Sequence, residues 1–449
     1  MASAAEQLAA NINFAAFAKA TELQKRIWFT LLALVVYRLG TFIPLPGIDP
    51  AAFANVFSQQ KGGILGMFNV FSGGAVERMA IFALNVMPYI SASIIVQLMA
   101  TAIPSLERLK KEGEAGRKQL NQYTRWLTLG LAMIQSYGIS VGLMGQDNGV
   151  VSNPGLFFIA STVITLTGGT MFLMWIGEQV TARGVGNGIS LIIFAGIVAE
   201  LPRVMMQTLA LSKEGQLSFF ALLMIAAVLV FATIFIVFIE RSQRRLVIQY
   251  PKRQVGNRMF MGDSSFLPLK INTAGVIPPI FASSLLLLPS TAAGFIGAGT
   301  ELPVYLAWLP DLAASLGYGK PLHMLLYAAG IIFFCFFYTS IVFNPQETAD
   351  NLRKYGGFLP GIRPGKPTEL YLDYVLTRLT VIGAAYITFV CLLPEILMSY
   401  QNVPFYLGGT SLLIVVSVTM DTVTQVQSHL LAHQYEGLIK KTKLRGGKR

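Results

Sequence analysis

The chain has 449 residues, of which 54% are hydrophobic and only 12% charged, with a formal net charge of +12. A soluble protein of this length carries roughly twice that charged fraction, so a water-soluble globular fold is excluded. The apolar residues fall in long blocks, and about 20 consecutive apolar residues span a bilayer core as a helix. Residues 1–26 are polar and alanine-rich, without the apolar core of a cleaved signal peptide. They read as a cytoplasmic N-terminal segment.

Ten apolar windows follow, at 27–43, 76–101, 126–144, 156–177, 189–209, 217–239, 272–295, 322–343, 375–394 and 407–427. The fold class expected is therefore an all-α polytopic membrane protein. Ten spans place both termini on one side. That side collects Lys19, Lys25 and Arg26, then Arg108, Lys110, Lys111, Arg117, Lys118 and Arg125, then Arg183. It goes on to collect Arg241, Arg244, Arg245, Lys252, Arg253, Arg258 and Lys270, then Arg353, Lys354, Arg363, Lys366 and Arg378, and finally six bases of the tail. Of the 34 Lys and Arg, only Arg38, Lys61, Arg78, Arg203, Lys213 and Lys320 fall elsewhere. A bias of roughly five to one puts both ends in the cytoplasm by the positive-inside rule.

Between the first two windows, residues 62–74 read GGILGMFNVFSGG. The apolar part is too short to cross a membrane, and glycine pairs bracket it. It fits either an interfacial loop that positions the second span, or a movable stopper on glycine hinges. Inside the second window, Val86-x-Pro88-x-Ile90-x-Ala92-Ser93 matches Val276-x-Pro278-x-Ile280-x-Ala282-Ser283 in the seventh, without a gap. Each copy lies in the second span of a five-span half. Five is odd, so a duplication of this kind yields two halves of inverted topology. The halves are 27–209 and 210–428, followed by a basic tail at 429–449. Proline at this depth would bend a span and free a carbonyl that lipid cannot satisfy. Pro88 and Pro278 therefore point to spans that face an interior.

Three cytoplasmic segments exceed a turn, at about 103–125, 241–271 and 344–374. The second, ERSQRRLVIQYPKRQVGNRMF, mixes bases with aromatic and β-branched residues. Such loops either fix topology and touch anionic lipid, or dock a large partner such as a particle rich in RNA. Composition leaves both open. Cys335 and Cys391 lie within spans and read as small hydrophobes. His429 and His433 stand four apart at the end of the last span with no acid beside them. The sequence has no phosphate-binding loop, no G-x-S-x-G and no His/Cys cluster at metal spacing, so neither a cofactor nor catalysis is expected. Glu178, Glu200, Glu240, Glu395 and Asp421 lie near window ends, which disfavours an ion-coupled transporter. A lipid-handling enzyme would need a catalytic constellation that is missing.

Several long motifs resemble the bacterial SecY family of channel proteins. They are FSGG-A-x-x-R with IFAL-x-x-MPYISASIIVQL (71–98), KKEGE-x-GR (110–117) and GTMFLMWIGEQ-x-T-x-RG-x-GNGIS (169–190), followed by LPLK-x-N-x-AGVIP (267–278), FNP-x-ETADNL (343–352), PGIRPG (360–365) and FYLGGTSLLIVV (405–416). The match runs over almost the whole chain. The resemblance implies a protein-conducting channel in the inner membrane, with two inverted five-helix halves around a central pore. It implies a plug half-helix carrying Ile64, Leu65, Met67, Phe68, Val70 and Phe71. It implies a constriction ring of Val86, Ile90, Ile193, Ile280 and Ile414, and a lateral gate at Pro88, Ser91, Ser93, Gln97, Pro278 and Ser283.

Partner docking is implied at Arg253, Arg258 and Arg363. The partners implied are the SecE and SecG membrane subunits, the SecA ATPase, the ribosome, signal sequences, nascent polypeptides and membrane lipids. The family usually carries Gly where this chain has Asn85, and commonly Ile where it has Val86. Asn85 is expected either to bond backbone opened by Pro88 or to hold a gate partner. The smaller Val86 is expected to loosen the seal.

Overall fold

The computed structural model describes residues 20–59, 69–145, 149–215, 218–250, 253–255, 258–260, 264–296, 315, 320–401 and 408–446. Each of the ten apolar windows falls on a helix. They are α1 (Thr21–Gly40), α3 (Met87–Ala102), α5 (Glu114–Met144), α6 (Leu156–Arg183), α7 (Gly188–Lys213), α8 (Phe219–Arg241), α9 (Ile277–Ile296), α10 (Pro321–Val342), α12 (Lys366–Gln401) and α13 (Gly409–Gly446). Three shorter helices, α2 (Pro50–Gln59), α4 (Pro104–Lys111) and α11 (Pro345–Lys354), sit in connections. Seven of the described helices are long and apolar enough to cross a membrane alone, and α3 with α4 passes as a pair bent by 105°. The break has a local cause: Ile103, extended at φ −105° and ψ 118°, precedes Pro104, and proline disfavours α geometry in the residue before it.

Several windows are placed differently from the sequence reading, the second and the ninth among them. The second span was expected from residue 76, but 75–79 and 81–86 are turns and the helix begins at Met87. The ninth was expected over 375–394, whereas α12 runs 36 residues from Lys366. At about 1.5 Å per residue that exceeds a hydrocarbon core of about 30 Å, so part of α12 extends beyond the membrane.

The chain divides into two units. One holds Met1–Leu209, Leu288–Ala314 and Ile414–Arg449; the other holds Ala210–Leu287 and Ser315–Leu413. In the first unit α5 packs along both α3 and α6. Small and hydroxyl side chains make this close approach possible: Thr128, Ala132, Ser136 and Ser140 are buried on α5, and Thr162, Thr167 and Gly169 on α6. A Cβ on Gly169 would strike the carbonyl of Ile81. An apolar cluster of Leu45, Ile48, Phe53, Phe57, Val76, Met79, Leu84 and Phe158 joins α2 and the turns around residue 80 to the start of α6. The same unit ties in α13, where Gln425 Oε1 accepts the Gly186 amide at 2.8 Å.

In the second unit, two of the long connections fold onto each other. β1 (Gln243–Gln249) pairs antiparallel with β4 (Ser264–Lys270), and β2 (Arg253–Val255) with β3 (Arg258–Phe260). Leu246 and Ile248 point inward while Arg245 and Val247 face out, the period-two pattern of a half-buried ribbon. Gln249 and Phe358 exchange backbone hydrogen bonds of 2.9 and 3.0 Å. Leu246, Ile248 and Leu269 then meet Leu359, Leu372, Val375 and Leu376 in one apolar cluster. These loops are thus a folded platform on the N-terminal end of α12.

Candidate functional site

The duplicated stretch marks two helix starts. In the first copy Asn85 is left-handed at φ 50°, Val86 caps the helix and Pro88 is the second residue of α3. In the second, Gly275 is left-handed at φ 65° and Pro278 is the second residue of α9. The matched positions share a conformation rarely adopted by residues with a side chain; asparagine is among the few that tolerate it. A proline in the first helical turn removes no intrahelical hydrogen bond, because that N–H has no partner in the helix anyway. The expected mid-span kink at Pro88 and Pro278 is therefore corrected: each proline begins a helix.

The proposed ring residues sit at such starts. Ile90 N donates to Val86 O at 3.1 Å, so the two share one turn. Ile193 and Ile414 are each the sixth residue of their helices, α7 and α13. Val86 is 1% exposed, Ile90 6%, Ile193 5% and Ile414 0%, all in the first unit. Ile280 is half-buried in the second. Among the gate residues, Pro88, Ser91, Pro278 and Ser283 are buried. Ser93 Oγ accepts from Gln97 Nε2 at 3.2 Å, leaving the buried Gln97 Oε1 without a partner among the described residues. Ser283 Oγ donates back to Ile280 O at 3.0 Å.

The segment leading into the first copy is densely bonded. Ile64, Leu65, Met67 and Phe68 lie outside the described residues, while Val70 and Phe71 are helical and buried. Asn85 Nδ2 donates to Phe71 O at 2.6 Å. The asparagine thus bonds the segment before the span rather than backbone near Pro88. Tyr37 Oη donates to Ser72 O at 3.1 Å, and Arg38 Nη1 donates to Gly73 O. Asn69 and Glu77 close a loop: Glu77 N donates to Asn69 Oδ1 at 2.9 Å, and Asn69 Nδ2 to Glu77 Oε2 at 3.2 Å. Arg203 grips the same carboxylate with two bonds of 2.5 and 2.6 Å. Gly73 and Gly74 are left-handed at φ 67° and 82°. A Cβ on the first would press on the Gly196 backbone, and one on the second would strike the Glu200 carboxylate. Glycine at both positions thus has a packing reason as well as a conformational one.

On the α12 platform, Arg363 is exposed on a turn between the left-handed Gly361 and Gly365, and its carbonyl accepts from Thr368 Oγ1 at 2.9 Å. Arg253 and Arg258 lie on paired strands, opposite Phe260 and Val255. Arg241, Arg244, Arg245, Lys270, Arg353, Lys354 and Lys366 are exposed on the same unit. Sequence reasoning overlooked the ribbon, although the alternation in QRRLVIQ carries it. It also passed over the buried pair His323 Nδ1–Glu395 Oε1 at 2.7 Å, which joins α10 to α12. That pair is 72 residues apart in sequence, so no spacing signal announces it.

The SecY family model matches residues 80–423. The protein translocase subunit SecY of Vibrio cholerae serotype O1 is 56% identical over 427 residues, covering 95% of this chain and 96% of its own. Its counterpart in Escherichia coli strain K12 is 55% identical over the same coverage, and that of Pseudomonas aeruginosa is 54% identical over 426 residues. Among solved structures, a protein-conducting channel superposes with a TM-score of 0.65 at 17% identity, covering 91% of this chain and 92% of the other. Sec61 in a canine ribosome–channel complex from the endoplasmic reticulum gives 0.61 at 16% identity, with the same coverage.

Proposed function

This chain belongs to the SecY family, and from that membership we propose a protein-conducting channel that passes unfolded secretory polypeptides across a bacterial inner membrane and releases transmembrane segments sideways into lipid. It is a multi-pass membrane protein and a translocase subunit rather than an enzyme; its energy comes from a partner. The observation that carries the reading is the pair of matched helix starts. Each brings a buried or half-buried branched aliphatic, Ile90 or Ile280, into the first turn after a left-handed residue.

Val86, Ile90, Ile193, Ile280 and Ile414 are the proposed constriction ring. Branched aliphatics offer water and ions no hydrogen bonds, so a ring of them resists hydration when empty and yields to an extended chain. Residues 62–74 are the proposed plug. Pro88, Ser91, Ser93, Gln97, Pro278 and Ser283 line the proposed lateral gate, where a signal sequence enters. Arg363, supported by Arg253 and Arg258, belongs to the proposed docking surface for the ribosome and the SecA ATPase. Exposed bases on a rigid platform suit phosphate-rich or acidic partners. SecE and SecG are the proposed membrane partners, and the distribution of Lys and Arg supports cytoplasmic termini.

The decisive experiment places a photo-crosslinking residue at Ile90 or Ile280 in vesicles carrying stalled secretory chains. Capture of the nascent chain at both positions, and not at the exposed Phe231, is the expected result. Equal capture at all three, or none at the ring, overturns the channel reading.

A further inference from the structure

The bonding around residues 69–77 has a consequence for how the channel opens. Five separate groups of contacts hold this segment, all within the first unit. Tyr37 and Arg38 of α1 take the carbonyls of Ser72 and Gly73. Gly196 of α7 lies close enough that a Cβ on Gly73 would sit 3.0 Å from its Cα. Asn85 takes the carbonyl of Phe71. Inside the segment, Gly74 N donates to Asn69 O at 2.8 Å, and Val76 N donates to Ser72 Oγ at 3.3 Å. The loop is closed by the Asn69–Glu77 pair and bolted to α7 by the two-pronged Arg203–Glu77 contact. Glu77 is only 12% exposed and Arg203 36%. A bidentate contact of this kind is geometrically specific and stronger than a single exposed ion pair.

We infer that residues 69–77 form a fixed clasp, with Glu77 and Arg203 as its positioning residues, and that this clasp sets the turn carrying Val86 independently of any displacement of the chain ahead of Asn69. The inference rests on the plug reading of 62–74 and divides that stretch at Asn69. The link from clasp to ring is short. Phe71 O holds the Asn85 amide, and Asn85 is the left-handed residue immediately before Val86. Loosening the clasp therefore frees the ring turn as well as the segment itself. A channel built this way clears its outer path without dismantling its constriction.

The test uses the full translocase complex in vesicles, with Ser72→Cys as reporter, since Ser72 is fully buried. A water-soluble maleimide measures its exposure in the resting channel and with a stalled chain engaged. The unsubstituted chain, whose two cysteines are buried, gives the background. The reporter should label slowly and equally in both states. Glu77→Gln or Arg203→Gln should speed labelling by roughly 10- to 100-fold, the population change for losing a charge-assisted contact. The same variants should raise resting ion conductance. The exchange Glu77→Arg with Arg203→Glu should restore slow labelling relative to either half of the exchange alone.

Fast labelling of the reporter on chain engagement in the otherwise unsubstituted channel overturns the inference, because the segment then moves with the plug. So does an unchanged rate in both glutamine variants. Deleting residues 62–68 separates the two readings. If that deletion leaves resting conductance unchanged, the plug reading fails, while the labelling results still decide whether the clasp exists.

Discussion

Substituting Asn85 separates two physical roles that the structure assigns to one side chain. Its backbone is left-handed at φ 50°, it is 1% exposed, and its amide donates to Phe71 O at 2.6 Å. Its Oδ1 is buried without a hydrogen-bond partner among the described residues. Alanine loses the bond and orphans a buried carbonyl, at about 1–3 kcal/mol. It also accepts left-handed geometry at about 1–2 kcal/mol. The two costs total about 2–5 kcal/mol, less about 1 kcal/mol because the unsatisfied Oδ1 is removed with the amide. Glycine loses the same bond but adopts the geometry freely, and it removes the unsatisfied Oδ1, which offsets about 1 kcal/mol or more. Asn85→Gly is therefore expected within about 1–2 kcal/mol of the native chain. Asn85→Asp tolerates the backbone but offers no donor, and it sets a carboxylate against the Phe71 carbonyl. The expected order in thermal unfolding of the purified protein in detergent is Asn, then Gly, then Asp and Ala. Alanine matching glycine would show that the backbone conformation carries no cost. Aspartate matching asparagine would show that the bond to Phe71 contributes nothing.

Pro88→Ala should change thermal stability by less than about 1 kcal/mol, since the first helical turn needs no N–H partner there; a loss above about 3 kcal/mol would restore the interior-kink reading. Arg363→Glu should leave the unfolding temperature unchanged, because the side chain is exposed, yet abolish partner-driven import of a secretory precursor into vesicles; normal import with a bound ATPase would remove Arg363 from the docking surface. Val86→Ile adds a methylene at the proposed ring and should lower the resting ion leak in planar bilayers; an unchanged leak counts against the looser-seal expectation.

The ten spans were legible because bilayer thickness imposes a length that hydropathy reports directly. Where the reading slipped, hydropathy was reporting burial rather than helix. Residues 75–86, AVERMAIFALNV, are apolar and mostly buried, yet they are turns that pack against α2, α6 and the strand-like contacts Leu45 N–Met79 O and Ile81 N–Ile43 O, each 3.0 Å. Protein, not lipid, satisfies their backbone, which is the condition under which irregular chain is tolerated at membrane depth. The reverse error occurred at 243–249, where a run of charge hid a period-two pattern that the structure uses to seat a ribbon on Leu372 and Val375. Glu77–Arg203, 126 residues apart, carries no local signal at all.

The repeat shows how far residue matching can go and where it stops. Matching letters located both copies and their register, but assigned the prolines to the wrong part of the helix, because sequence periodicity does not mark where a helix begins. The informative position was one of those that failed to match. Asn85 and Gly275 differ in chemistry and agree in handedness, so the constraint acts on φ rather than on the side chain. The two copies then anchor that turn by different routes. Asn85 supplies its own amide to Phe71, whereas Gly275 has none to give. Instead Asn272, three residues earlier, accepts the Gly275 amide at 3.0 Å, donates to its carbonyl at 3.2 Å, and donates to Glu240 of α8 at 2.6 Å. A glycine at 85 would satisfy the backbone but leave Phe71 without its donor. In this chain the asparagine therefore couples the helix start to the segment before it, a coupling that the second copy makes through α8.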